Sequence, residues 1–283
     1  MDRPIGMFDS GFGGLTVARA LIDLLPHEHL VYVGDTGRYP YGPRAQAEVR
    51  GFALELGWSL VEDHGAKAVV VACNTASAAA LDDLRAELPV PVIDVVQPGA
   101  DALVRTSRSG SIGVIGTVGT IGSGAYERAV ATSGRPVRLT AAACPGFVEF
   151  VERGQTSGDE ITILAERLLA PVREAHVDAL LLGCTHYPYL ARVIADVMGP
   201  QVTLVSSADE TAFVARTELQ RLGLLRPSDG TPPRRRFLSS GDIAWFADLG
   251  GRLLGPELRG AERWHPAPVR AGARPPTTSE PRP

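Results

Sequence analysis

The sequence predicts an α/β fold: two pseudo-symmetric α/β domains with mostly parallel central sheets and the functional site in the cleft between them. Three observations carry this expectation. Short, uninterrupted apolar runs alternate with helix-like segments almost from end to end, the pattern of parallel strands covered on both faces. The segment Ile5-Gly6-Met7-Phe8-Asp9-Ser10-Gly11 recurs as Ile112-Gly113-Val114-Ile115-Gly116-Thr117-Val118, at an offset of 112 − 5 = 107 residues. Two cysteines end matching runs, Cys73 after Ala68 to Ala72 and Cys184 after Ala179 to Gly183, and their separation of 184 − 73 = 111 is close to that offset.

Taken in order, strands are expected over Ile5 to Phe8, Leu30 to Val33, Ala68 to Ala72, Val92 to Val95, Ile112 to Ile115, Val137 to Ala142, Ala179 to Leu182 and Val202 to Val205. Helical spacing fills the gaps: Val49, Phe52, Ala53, Leu56 and Leu60 mark one face, and Leu190, Val193, Ile194 and Val197 another. A further amphipathic helix carries Ala212, Ala215, Leu219 and Leu222; a short strand near Phe237 and Leu238 and a helix from Asp242 follow. The expected division is a first domain over 1–96 completed by 207–264, a second over 97–206, and a disordered tail over 265–283, where Pro, Ala, Arg and Thr lack apolar periodicity.

At 283 residues, 45% hydrophobic and 21% charged, the chain has enough apolar sequence for substantial cores. The formal net charge is −4, and apart from Arg234-Arg235-Arg236, read as a solvated strand entry, positive charge is not concentrated. Nucleic acid is therefore not the expected partner. The N-terminus lacks the regions of a signal peptide, no run approaches the ~18 apolar residues of a membrane span, and a cytoplasmic location is expected. Three cysteines are too few for a disulfide framework and are expected as free thiols.

In parallel sheets, ligands collect beyond the carboxyl ends of the strands. Both cysteines are aimed there, and with Asn74-Thr75 and Thr185-His186 expected to open helices, each thiol gains a helix N-terminus that favours its thiolate. One buried cysteine reads as a small hydrophobe; two in parallel contexts read as a pair for acid/base work. Cys144, followed by Pro145 and Gly146, is expected to be structural. Asp9 ends the first strand beside Cys73, where its carboxylate can accept a thiol proton or orient an amine. His186 is a proton partner for Cys184, and Glu152, among the apolar residues of Phe147 to Glu152, is a candidate for a supporting carboxylate. Asp9-Ser10-Gly11 with Gly13-Gly14 forms a strand, turn and helix suited to an anion, but neither the P-loop nor the dinucleotide spacing is present. The turn-rich loop Gly34 to Gly42 belongs at the same edge.

These segments together resemble the glutamate racemases, within the wider aspartate/glutamate racemase family. The matching stretches are Phe8-Asp9-Ser10-Gly11-Phe12-Gly13-Gly14-Leu15-Thr16, Gly34-Asp35-Thr36 with Pro40-Tyr41-Gly42, Ala72-Cys73-Asn74-Thr75-Ala76-Ser77, Gly113-Val114-Ile115-Gly116-Thr117, Ala143-Cys144-Pro145 with Phe147-Val148, and Leu182-Gly183-Cys184-Thr185-His186-Tyr187-Pro188. The resemblance runs from about residue 5 to residue 255. It implies cofactor-independent interconversion of L- and D-glutamate, supplying D-glutamate for peptidoglycan, with no metal and commonly as a homodimer. By the same resemblance Cys73 is the base for D-glutamate and Cys184 the base for L-glutamate. Asp9 assists Cys73, and His186 with Glu152 assists Cys184. Substrate contacts are implied for Asp9, Ser10, Tyr41, Gly42, Asn74, Thr75, Thr117, Thr120, Thr185 and His186. Phe12 stands where many relatives have a smaller aliphatic residue and Gly37-Arg38-Tyr39 is a variable stretch; both are expected to tune binding or loop motion.

Three alternatives compete. An aspartate or related amino-acid racemase would share the two thiols. A metal-dependent or thiol-nucleophile hydrolase would use Cys184 and His186, but the usual Cys-x-x-Cys and His-x-x-x-His metal spacings are missing. A bilobal amino-acid-binding protein fits the duplicated architecture and leaves the paired cysteines without a role.

Overall fold

The computed structural model of the chain describes residues 1–228 and 230–265. Its first half runs β1 (Ile5–Asp9), α1 (Leu15–Leu24), β2 (Leu30–Gly34), α2 (Gln46–Glu62), β3 (Ala68–Val71), α3 (Asn74–Glu87), β4 (Val92–Asp94) and α4 (Val96–Thr106). The second runs β5 (Ser111–Gly116), α5 (Val118–Gly122), α6 (Ala125–Ala131), β6 (Arg138–Ala143), α7 (Phe147–Glu152), α8 (Asp159–Glu174), β7 (Ala179–Leu182), α9 (Ala191–Met198) and β8 (Thr203–Ser206). A closing segment adds α10 (Ser207–Arg221), β9 (Arg235–Ser239), α11 (Ile243–Leu254) and β10 (Glu262–Arg263).

Two sheets form, in the orders β10-β9-β2-β1-β3-β4 and β6-β5-β7-β8. Every pairing is parallel, which obliges the chain to cross over through helices between strands. Within the first sheet the order β2-β1-β3-β4 has its counterpart in β6-β5-β7-β8. The repeat legible at Ile5 and Ile112 is therefore a repeat of topology, with β1 equivalent to β5 and β3 equivalent to β7. Cys73 and Cys184 follow these equivalent strands.

The apolar runs are uninterrupted because both faces of each sheet are covered. On one face of the larger sheet Ile5, Met7, Tyr32, Val70 and Phe237 pack with α1, α10 and α11 residues such as Leu21, Ala212 and Phe246. On the other, Phe8, Val31, Val33, Val69 and Val71 pack with Leu56, Leu60 and Leu84 of α2 and α3. The smaller sheet divides likewise: Leu180 and Leu182 face α8 and α9, while Ile112, Val114 and Leu181 face α4 and α6. Each such buried side chain contributes about 1.5–3 kcal/mol relative to exposure.

The closing segment returns to the larger sheet. β9 pairs with β2, Leu30 opposite Arg235, and the arginine triplet enters it as expected, with Arg236 paired to Glu262 at 2.6 Å. Strand β10, which no sequence pattern announces, extends that edge, and the neighbouring Trp264 donates its indole N–H to Ser59 at 2.9 Å. The tail expected over 265–283 lies, but for His265, outside the described residues. Phe12 departs from expectation: it is buried among Trp245 and Phe246 of α11 at centroid distances of 4.6 and 5.1 Å, and packs the core instead of meeting the cavity.

Candidate active site

Beyond the carboxyl ends of β1, β3, β5 and β7 lies a cavity of ≈ 80 Å³ whose wall contains both Cys73 and Cys184. Ser10, Tyr41, Gly42, Asn74, Thr75, Thr117, Thr185 and His186 also line it. Asp9, Thr120 and Glu152 stand one layer behind, in contact with those residues. Thr120 shares a buried triad of hydroxyls with Thr75 and Thr117 at 2.9 to 3.2 Å. Asp9 accepts from the Gly11 N–H of its own turn at 2.9 Å and from the Thr185 hydroxyl of the other half at 3.3 Å, and not from Cys73.

The two thiols sit in different local structures. Cys73 caps α3: its Sγ accepts the Ala76 N–H at 3.4 Å and its carbonyl accepts the Ser77 N–H at 2.8 Å. The expectation that Thr185-His186 likewise open a helix is corrected. A helix capped by Cys184 would need an N–H four residues on, at Pro188, which has none. The Cys184 carbonyl is instead met by the Tyr187 N–H at 3.0 Å, and a four-residue 3₁₀ turn, Tyr187–Leu190, precedes α9.

What Cys184 lacks in a helix terminus it has in His186, whose Nδ1 lies 3.9 Å from Sγ, while Nε2 lies 3.1 Å from Glu152 Oε1. Burial works against a charged imidazole here, but the Cys184 thiol and the Glu152 carboxylate outweigh it and hold the His186 pKa up to about 10. At Cys73 burial dominates: together with the charge of Asp9 it pushes the thiol up to about 12, against the opposing hydrogen bonds of Ala76 and Ser10. One side of the cavity thus holds a cysteine whose ionisation burial opposes, and the other a cysteine facing a histidine held in its charged form.

The wall comes from both halves. Asp35, fully buried, anchors the loop after β2 by accepting from the Tyr41 hydroxyl, from Arg38 Nε at 2.7 Å and from the Ser240 hydroxyl at 2.6 Å. The loop then reaches the second half, where the Gly42 carbonyl accepts the Gly119 N–H at 2.9 Å. The glycine-rich turn after β1 packs on the site from behind. A Cβ on Gly13 would lie 2.7 Å from His186 Cε1 and would also overlap Nδ1 and Thr185 Oγ1. Gly13→Ala should therefore displace the imidazole and lower kcat/KM by about 100-fold, measured beside a melting curve to separate lost alignment from lost fold.

Cys144, expected to be structural, lies in the cavity wall, and burial pushes its thiol up to about 12. Tyr126 is a contact the sequence did not disclose. Its hydroxyl accepts from Asn74 Nδ2 at 2.7 Å, which leaves Asn74 Oδ1 buried and without a hydrogen-bond partner among the described residues. Among the described residues the lining holds no Lys or Arg, so hydroxyls, amides, backbone N–H groups and the N-terminus of α3 are the groups it offers a bound carboxylate. Among the described residues no cluster of three or more His, Cys, Asp or Glu could hold a metal ion, and no helix is long and apolar enough to cross a membrane.

The Asp/Glu/hydantoin racemase family model matches residues 15–215. A glutamate racemase of Mycobacterium ulcerans is 53% identical over 264 residues, covering 93% of this chain and 97% of that protein. Among solved structures, a glutamate racemase isoform from Bacillus anthracis superposes with a TM-score of 0.86 at 41% identity, over 92% of this chain and 96% of that one. The glutamate racemase of Francisella tularensis, solved in complex with D-glutamate, does so with a TM-score of 0.85 at 31% identity, over 95% and 98%. By its sequence, its duplicated parallel sheets and these matches, the chain belongs to the Asp/Glu/hydantoin racemase family and, within it, to the glutamate racemases.

Proposed function

We propose that the chain interconverts L- and D-glutamate without a cofactor, supplying D-glutamate for peptidoglycan, and that Cys73 and Cys184 are its two acid/base groups. The observation that carries this reading is the pair of thiols ending equivalent strands and lining one cavity. Inverting a carbon centre without an electron sink requires one group to take the α-proton from one face while another supplies a proton to the opposite face. With L-glutamate, the Cys184 thiolate removes the α-proton and the Cys73 thiol delivers its own; with D-glutamate the roles exchange. Each turnover leaves the sulfurs in the opposite protonation state.

Protonated His186 supports Cys184 by donating to its sulfur whenever that is a thiolate, and Glu152 holds the imidazole in line. Asp9 orients Thr185 and, through its charge, favours the neutral thiol of Cys73. Ser10, Tyr41, Gly42, Asn74, Thr75, Thr117 and Thr185 surround the substrate, the free Asn74 Oδ1 being suited to its ammonium. Thr120 braces Thr75 and Thr117 from behind. The domain division at 96/97 and 206/207, a homodimeric assembly and a cytoplasmic location belong to the same proposal and rest on the repeat and the family resemblance.

In deuterated water, L-glutamate incubated with the purified chain and no added cofactor should give D-glutamate carrying deuterium at the α-carbon. Formation of D-glutamate that retains the original hydrogen would contradict a solvent-exchanging thiol pair, and absence of D-glutamate would contradict the activity itself.

A further inference from the structure

The cavity wall contains a side chain to which the two-thiol mechanism gives no role, in the stretch expected only to tune binding or loop motion. Tyr39 lies in the loop after β2 and contributes to the lining beside Cys184 and His186. Its ring packs on the imidazole of His186, with centroids 6.4 Å apart and planes inclined by 33°. Gly11 sits between this ring and the carboxylate behind the histidine: a Cβ there would lie 3.5 Å from Tyr39 Cδ2 and 3.4 Å from Glu152 Oε1. The Tyr39 hydroxyl is buried and has no hydrogen-bond partner among the described residues.

A buried hydroxyl without a partner is costly, and in native proteins such groups are few. This one is a committed donor. Burial first, then the charges of Glu152 and Glu149, hold its pKa far above that of a free phenol. The Glu152 carboxylate thus stands within reach of the hydroxyl as an acceptor, short of a completed hydrogen bond. The loop that carries Tyr39 also carries Tyr41 and Gly42 of the cavity wall, so a small adjustment of the loop around a bound substrate would move Tyr39 with it.

Building on the two-thiol reading, we propose that Tyr39 is a positioning residue for the Cys184 side of the reaction. When substrate fills the cavity its hydroxyl donates to Glu152, and its ring holds the His186 imidazole edge toward Cys184. No proton is transferred through Tyr39. The line becomes Tyr39, Glu152, His186 and Cys184, each fixing the next, and Cys73 has no corresponding device. Tyr39 thereby adds an asymmetry to a reaction whose two substrates are mirror images.

The test uses Tyr39→Phe, which keeps the ring and removes the hydroxyl, assayed beside the unaltered protein with α-deuterated L- and D-glutamate. We expect kcat/KM to fall about tenfold, the scale of one lost hydrogen bond to a charged group. The fall must be equal in both directions, because enantiomers have equal free energy. The deuterium isotope effect should rise for L-glutamate, whose α-proton Cys184 removes, and fall for D-glutamate, whose α-proton Cys73 removes. In a Glu152→Gln background, Tyr39→Phe should cost less than twofold. Unchanged kcat/KM, unchanged isotope effects, or an undiminished loss in the Glu152→Gln background would each overturn the proposal. If the unaltered protein does not racemise glutamate, the failure belongs to the two-thiol reading instead.

Discussion

Replacing either Cys73 or Cys184 by serine is expected to abolish racemisation, lowering kcat/KM by at least about 10³-fold, within the range by which a positioned acid/base group accelerates proton transfer. An alcohol holds its proton too tightly to act as the base, and one surviving thiol serves only one face of the α-carbon. The loss should be the same in both directions for each variant, since L- and D-glutamate have equal free energies and the equilibrium constant of a racemisation is one. The structural inequality of the two thiols can appear only in kcat and KM taken separately and in isotope effects. Initial rates from each enantiomer, followed by circular dichroism, test this; substantial activity in either variant would contradict a two-thiol mechanism. Sulfur and oxygen differ little in size, so both variants should fold.

His186→Asn carries the second large effect, a fall of about 10² to 10³ in kcat/KM, because it removes the cation facing the Cys184 sulfur. The unaltered chain should also lose kcat/KM as pH rises through about 10, where His186 gives up its proton. In the variant this alkaline fall should disappear or move. A stability consequence accompanies it. The His186 pKa is raised in the fold from 6.5 to about 10, so the stabilisation is fully present below 6.5 and is lost as pH climbs toward 10. Melting temperatures across that interval should decline more steeply for the unaltered chain than for His186→Asn. Equal slopes would place the charge elsewhere.

Much of this fold was legible because its strands are buried on both faces. Runs such as Ala68 to Val71 and Ala179 to Leu182 contain no polar residue to interrupt them, and the offsets of 107 and 111 residues between the halves reappear as one repeated strand order. The helix start after Cys73 was legible from the polar Asn74-Thr75 and the apolar periodicity that follows, though the capping role of the Cys73 sulfur was not. The turn after Cys184 was not legible: Pro188, four residues on, withholds the one hydrogen bond that would have made the two sites alike. The contact that sequence could not disclose joins residues far apart in the chain: Asn74 and Tyr126 are 52 positions apart. The pairing of His186 with Glu152, 34 apart, came only from the family resemblance. Gly13 read as part of a turn suited to an anion, and only the approach of Thr185 and His186 explains why no side chain fits there. Strand β10 pairs through the backbone of Glu262 and Arg263, whose side chains give no strand pattern.

In the proposed mechanism the asymmetry of the cavity, a helix-capping cysteine on one side and a histidine-backed one on the other, gives each enantiomer its own base. A crystal structure of the chain with D-glutamate bound tests that claim most directly. The expected result places the α-carbon between the two sulfurs, with Cys73 Sγ about 3.5 Å away on the face that bears the hydrogen and Cys184 Sγ on the opposite face. Both sulfurs on one face, or Cys184 on the hydrogen-bearing face of D-glutamate, would contradict it.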